Sequence, residues 1–136
     1  MSGAAPEARV RVKICGLTRE EDALAAEAAG ADAIGLIFAE RSVRRVDPAR
    51  ARVLSDVLSP FVTRVGVFLG ASEDEVRTAV AAARLNAVQL HGEVDDEVAA
   101  RLRADGLQVI RAVRFEPGLT PDAFAHRPFD AVLLDG

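Results

Sequence analysis

Short apolar runs alternate along the chain with stretches that have helical spacing. The runs combine β-branched residues with a period of two, which predicts strands. The six predicted strands cover 10–15, 31–38, 61–69, 85–92, 107–115 and 129–136. Five predicted helices lie between them, at 20–29, 47–58, 72–84, 95–106 and, as a short fifth helix, after Thr120. The pattern is therefore (βα)₅β.

Helix start and stop signals support this division. Gly30 and Gly106 are predicted to end the first and fourth helices. Two helices are predicted to start at capping boxes, which are Thr18 with Glu21 and Ser72 with Glu75. Two more are predicted to start at a residue that precedes a proline in the first helical position, Asp47 before Pro48 and Thr120 before Pro121.

Strict alternation of strands and helices predicts a parallel sheet with right-handed crossovers. Two architectures fit, an open doubly wound sheet and an arc of a (βα)₈ barrel. Strand parity favours the barrel, because several strands are apolar on one face and become polar on the other near their carboxyl ends. The first strand has Val12 and Ile14 on one face, and Lys13 and Cys15 on the other. We expect one incomplete barrel domain over 1–136, with a flexible segment at 1–8.

Composition narrows the function. The 136 residues carry 17 basic and 21 acidic side chains, a net charge of −4 that argues against a nucleic-acid partner. Apolar runs are too short to span a membrane. A single cysteine excludes an internal disulfide and is typical of the cytoplasm. Two histidines and one cysteine, far apart in sequence, predict no metal site.

Polar residues gather where the predicted strands end. Cys15 ends the first strand, His91 the fourth and Asp135 the sixth, while Arg44 and Arg45 follow the second. In a barrel these positions meet at one mouth. Each also has a plain structural interpretation: a small buried cysteine, a turn aspartate, a strand exit and a solvated arginine loop. No single residue therefore distinguishes a catalytic or binding role from a structural one.

Six motifs together resemble one enzyme family. They are KICGLT at 13–18, EDA at 21–23 with GADAIG at 30–35, FxxxSxR at 38–44, RVGVF at 64–68, NAVQLHG at 86–92 and LLD at 133–135. In this order they resemble phosphoribosylanthranilate isomerase of tryptophan biosynthesis. The resemblance implies a (βα)₈ barrel, no cofactor and an Amadori rearrangement of N-(5′-phosphoribosyl)anthranilate. The product is 1-(o-carboxyphenylamino)-1-deoxyribulose 5-phosphate.

The resemblance also assigns roles to particular residues. Cys15 matches the general base that removes the proton from C2′, and Asp135 matches the general acid that protonates the ring oxygen. Arg44 matches the arginine that binds the anthranilate carboxylate, a good bidentate pair. Gln89 and His91 are expected to line the pocket. The expected partner is this small substrate, and the expected assembly is a monomer or a homodimer.

One departure and three alternatives accompany this interpretation. The family barrel has eight strands and these residues predict six, without the later loops that bind phosphate in many barrels. We therefore expect a C-terminally truncated isomerase, inactive or nearly so by itself, with unpaired first and sixth strands. The alternatives are the sister isomerase of histidine biosynthesis, a flavodoxin-like binding module, and a non-catalytic fragment that pairs with another half-barrel. The sister family carries aspartate where this chain has Cys15.

Overall fold

A computed structural model describes residues 3 and 5–136 of the chain. Its elements alternate as predicted, although all six strands are shorter than the apolar runs that predicted them. In chain order they are β1 Lys13–Cys15, α1 Glu20–Ala28, β2 Ala33–Ile37, α2 Pro48–Asp56, β3 Thr63–Leu69, α3 Glu73–Ala83, β4 Ala87–His91, α4 Asp96–Ala104, β5 Gln108–Arg114, a 3₁₀ helix Pro121–Phe124 and β6 Ala131–Asp135.

The six strands form one parallel sheet whose spatial order is the chain order. A doubly wound sheet has a switch point where the strand order reverses, and no such point occurs among the described strands. This order therefore excludes the flavodoxin-like alternative and identifies an incomplete (βα)₈ barrel. Within the described residues, β1 and β6 form the two edges of the sheet and do not pair with each other.

The hydrophobic core lies between the helices and one face of the sheet. Alternate strand residues such as Ile34, Leu36 and Val88 point towards the helices and are completely buried. Leu54 of α2 and Leu102 of α4 meet them from the other side and are equally buried. The opposite face of each strand lines the barrel interior, which we call the lumen. The polar strand residues singled out by parity lie on this lumen face.

A charged residue, Arg64, is buried on the helix side of the sheet, and the sequence showed it only as the first residue of the RVGVF motif. Arg64 of β3 is 8% exposed, and its guanidinium donates five hydrogen bonds of 2.5–3.2 Å. The acceptors are the Ser55 hydroxyl and the carbonyls of Ser55, Leu58, Ser59 and Val62. These carbonyls belong to the carboxyl end of α2 and the turn after it, where carbonyl groups have no amide partner within the helix. Arg64 thus fastens α2 to the sheet.

Three local predictions were wrong. β1 begins at Lys13 rather than at residue 10, because its neighbour β2 begins at Ala33 and offers no ladder partner further back. The first helix has Arg19 as its N-cap and no side-chain cap, so Thr18 forms no capping box. The fifth helix is a single 3₁₀ turn, and Thr120 does not cap it with its side chain.

The other helix starts were confirmed. Asp47 accepts a hydrogen bond from the Arg50 amide, and Ser72 accepts one from the Glu75 amide. Residues 5–12 contain no helix or strand. The flexible segment expected at 1–8 includes residues 1, 2 and 4, which lie outside the described part of the chain, and it stays a prediction.

Candidate active site

Strand register places four of the five expected site residues on the lumen face. Cys15 is the last residue of β1, Asp135 of β6 and His91 of β4, while Gln89 lies two residues before His91. Alternate residues of a strand share a face, and residues paired in register on neighbouring parallel strands point the same way. Because parallel strands end at the same rim, Cys15, His91 and Asp135 lie at the carboxyl-end mouth of the barrel.

The Cys15 thiol lies against a strand residue that has no side chain. Cys15 pairs with Gly35 of β2, and a Cβ atom placed on Gly35 would lie 2.6 Å from the Cys15 Sγ. Any larger residue at this position would have to displace the thiol. Cys15 itself is partly buried and is a free thiol.

Arg44 extends from the loop after β2 to the end of β1. Its Nη1 donates a hydrogen bond of 3.2 Å to the Cys15 carbonyl. Its guanidinium covers Gly16, where an added Cβ would lie 2.6 Å from the guanidinium carbon. Gly16 also has φ +87°, a conformation that other residues rarely adopt. A cationic fork is therefore held beside the candidate base.

Arg44 and its neighbour Arg45 point to different places. Arg45 forms an isolated bridge with Ile37 and lines an external cavity of about 670 Å³ between its loop and α3. That cavity is also lined by Arg41, Asp74 and Glu75, and it contains none of the five expected site residues. We place the candidate site in the lumen mouth rather than in this cavity, because the mouth is where the cysteine, histidine and aspartate converge.

A hydrogen-bonded chain crosses the lumen below the mouth. The Lys13 Nζ donates to the Gln89 Oε1 at 2.6 Å, although β1 and β4 are not neighbouring strands. The Gln89 Nε2 then lies 2.9 Å from the His91 Nε2. Gln89, the middle member, is only 4% exposed, whereas Lys13 and His91 are partly buried. The ammonium of Lys13, which shares the lumen face of β1 with Cys15, is therefore hydrogen-bonded to Gln89.

His91 is electrostatically linked to three other strands. Burial lowers the pKa of His91 below its usual value. Asp135 on β6 acts to raise this pKa, whereas Lys13 on β1 and Arg111 on β5 act to lower it. The lumen mouth therefore brings the ends of β4 and β6 within electrostatic reach of each other.

Two glycines that shape the site were not predicted as site residues from the sequence. In the sequence Gly16 and Gly35 stood out only as parts of motifs. Their role is to leave space for the Arg44 and Cys15 side chains, which lie over them. An isolated glycine inside a strand is a recognised signal of close approach, and Gly35 shows that signal.

The described residues contain no group of three or more His, Cys, Asp or Glu side chains arranged to hold a metal ion.

None of the helices that the structure describes is long and apolar enough to cross a membrane.

Comparison with known proteins identifies the family. The profile of the family described as N-(5′-phosphoribosyl)anthranilate (PRA) isomerase matches residues 12–136. N-(5′-phosphoribosyl)anthranilate isomerase of Pseudomonas aeruginosa strain UCBPP-PA14 is 46% identical over 128 residues, which are 93% of this chain and 59% of that protein. The Deinococcus radiodurans protein of the same name is 57% identical over 86 residues, 63% of this chain and 41% of that protein.

Solved structures agree with this result. Phosphoribosyl anthranilate isomerase from Thermus thermophilus superimposes with a TM-score of 0.86 at 46% identity, over 93% of this chain and 62% of that one. A phosphoribosyl anthranilate isomerase in complex with reduced 1-(o-carboxyphenylamino)-1-deoxyribulose 5-phosphate gives 0.84 at 43% identity, over 93% and 65%. The chain belongs to the PRA isomerase family, and it spans about three fifths of the length of such relatives.

Proposed function

We propose that this chain provides the acid–base part of a PRA isomerase active site. The reaction is the Amadori rearrangement of N-(5′-phosphoribosyl)anthranilate in tryptophan biosynthesis. The observation that carries the proposal is the position of Cys15, the single cysteine of the chain, and Asp135 at the ends of two lumen-facing strands. The structure in complex with the reduced product belongs to a relative that is 43% identical and supports this substrate class.

The chemistry needs an acid and a base that act on one sugar. In the proposed mechanism Asp135 arrives protonated and donates its proton to the furanose oxygen, so that the ring opens to a Schiff base. Cys15, as a thiolate, then removes the proton from C2′, and the resulting enolamine tautomerises to the ketone. The absence of a side chain on Gly35 supports this role, because it leaves the thiol room beside β2.

Arg44 is proposed to bind the anthranilate carboxylate. Its guanidinium lies beside the end of β1, so a carboxylate paired with it would bring the aminosugar close to Cys15. A planar guanidinium can hold a carboxylate through two parallel hydrogen bonds. Gln89 and His91 are proposed to line the other side of the pocket.

We expect the protein to act in the cytoplasm, as a monomer or a homodimer, with no cofactor. A relative from Thermotoga maritima that is 40% identical is described as dimeric. This favours a homodimer as the first assembly to test.

The function is tested with this chain alone and with a chimera in which the remaining C-terminal part of the P. aeruginosa relative continues it. Turnover of N-(5′-phosphoribosyl)anthranilate is expected from the chimera, and little or none from the chain alone. The phosphoribosyl aminoaldose of histidine biosynthesis serves as the control substrate and should not be converted. A correctly folded chimera that converts only the control substrate would overturn the proposal.

Two substitutions in the active chimera separate the roles. Cys15→Ser should lower kcat by about a hundredfold or more with little change in KM, since it weakens a group that acts in the transition state. Arg44→Ala should mainly raise KM, whereas the matched control Arg45→Ala should leave KM nearly unchanged. If Arg45→Ala raises KM more than Arg44→Ala does, the carboxylate site is assigned to the wrong arginine.

A further inference from the structure

The chain of hydrogen bonds through Lys13, Gln89 and His91 has only one possible direction. A lysine ammonium carries donors and no acceptor, so the Gln89 atom that it meets must be the carbonyl oxygen. The other end of the same amide is then the NH₂ group, which only donates. This group lies 2.9 Å from the His91 Nε2. The Nε2 must therefore accept, and an imidazole nitrogen accepts only when it carries no proton.

This direction determines the state of the imidazole. With Nε2 unprotonated, His91 is neutral and its proton lies on Nδ1. Among the described residues, Nδ1 has no hydrogen-bond partner, and no buried side-chain nitrogen or oxygen lacks one. Because Nδ1 is neither hydrogen-bonded nor fully buried, it is open to solvent and can meet a ligand.

We propose that Gln89, oriented by Lys13, is a positioning residue that holds His91 as the neutral Nδ1–H tautomer. His91 then presents one hydrogen-bond donor at the lumen mouth, suited to an oxygen of the sugar phosphate substrate. This inference deepens the proposed function and rests on it for the identity of the ligand. The arrangement in the free chain follows from the hydrogen bonds alone.

The same arrangement excludes a different role for His91. An imidazole that accepts from Gln89 through Nε2 must break that hydrogen bond before it can bind a second proton. His91 is therefore a neutral donor, and the acid–base chemistry is left to Cys15 and Asp135. The charged groups that act on His91 are Asp135 on β6, Lys13 on β1 and Arg111 on β5.

The test detects the tautomer directly, by long-range ¹H–¹⁵N correlation on the ¹⁵N-labelled chain without substrate. The chain has two histidines, and the exposed His126 serves as the internal control. At neutral pH we expect His91 to be protonated on Nδ1. His126 should show mainly the Nε2–H form that imidazole favours in water.

Two variants test the hydrogen-bonded chain, one at Gln89 and one at Lys13. In Gln89→Glu the carboxylate accepts from Lys13 and from the imidazole, so His91 should change to the Nε2–H form and titrate at higher pH than in the wild type. In Lys13→Met the Gln89 amide is free to turn over, so His91 should become a mixture of both tautomers. A merely structural Lys13 would leave the His91 tautomer unchanged, because it does not touch that residue.

The outcomes are distinct. An Nε2–H form of His91 in the wild type, or an unchanged Nδ1–H form in Lys13→Met, would overturn the proposal. If Gln89→Glu fails to fold, the wild type and Lys13→Met still decide. The tautomer is measured without turnover, so an inactive chimera with an Nδ1–H His91 refutes the proposed function and leaves this inference standing.

Discussion

Replacement of Arg64 by methionine tests the clearest energetic feature of the fold. The substitution keeps the apolar stem of the side chain and removes the guanidinium. The Ser55 hydroxyl and four carbonyls at the end of α2 then lose a charged donor in a buried place.

The expected cost follows from these contacts. A hydrogen bond to a charged group contributes about 1.5–3 kcal/mol, but bonds that share one group do not add. Two of the carbonyls, those of Ser55 and Ser59, also accept from backbone amides at 3.3 and 3.2 Å, which limits their loss. The substitution also removes the cost of burying the charge, which itself lowers the pKa of Arg64. A buried acceptor that loses its donor costs about 1–3 kcal/mol, and five acceptors are affected here, two of them only in part, so we expect a total of about 3–5 kcal/mol.

The measurement is urea and thermal unfolding of the chain followed by far-ultraviolet circular dichroism, since the sequence contains no Trp or Tyr for fluorescence. A loss of about 3–5 kcal/mol corresponds to a Tm lowered by roughly 10–20 °C in a domain of this size. Arg64→Lys should recover only part of the loss, because a lysine lacks the planar fork. Arg19→Met, which removes two exposed ion pairs, with Glu21 and Asp22, is the matched control and should change the Tm very little. A free energy of unfolding lowered by less than about 1 kcal/mol in Arg64→Met would refute this account of α2.

Two further predictions use the same chain. Gly35→Ala places a methyl group 2.6 Å from the Cys15 Sγ and should change the alkylation rate of this single thiol several-fold. The control Gly3→Ala, with open space around it, should leave the rate unchanged. Equal alkylation rates in the two variants would contradict the proposed contact. Hydrogen bonds from Arg101 and then Arg77 lower the pKa of Glu73 from 4.5 to about 2. Because the folded pKa lies below the unfolded value, Glu73 stabilises the fold fully above about pH 4.5, and this stabilisation is lost as the pH falls towards about 2. The difference in Tm between wild type and Glu73→Gln should therefore shrink over this interval, and a constant difference would show that the ion pairs do not stabilise the fold.

Much of the candidate site was predictable because strand positions carry direct information. Alternation along a strand predicts which residues share a face, so the pattern alone places Cys15, Gln89, His91 and Asp135 on one side of the sheet. Arg44 could not be told apart from Arg45 by pattern alone, since both lie in the same loop. Its hydrogen bond to the Cys15 carbonyl depends on the path of that loop in space.

Two of the wrong local predictions, the start of β1 and the capping box at Thr18, have a common cause. Residues 10–12 have the composition of a strand, but a strand needs a neighbour to pair with, and β2 does not extend that far. Thr18 has the spacing of a capping box, but its carbonyl accepts hydrogen bonds from Arg50 and the helix begins after Arg19. Local sequence signals indicate where a helix or strand could begin or end, and tertiary contacts determine which of these positions is used.

The order of the elements, the faces of the strands and the family follow from the residues alone, because they depend on local periodicity and on short motifs. The contacts that cross the barrel depend instead on how the chain folds in three dimensions. Lys13 and Gln89 are 76 residues apart and lie on strands that are not neighbours in the sheet, and only the curvature of the sheet brings their side chains within 2.6 Å. The same holds for Arg64, whose partners follow from how α2 packs on β3. Local pattern carries no information about such distances, since they are set by how the elements curve and pack together.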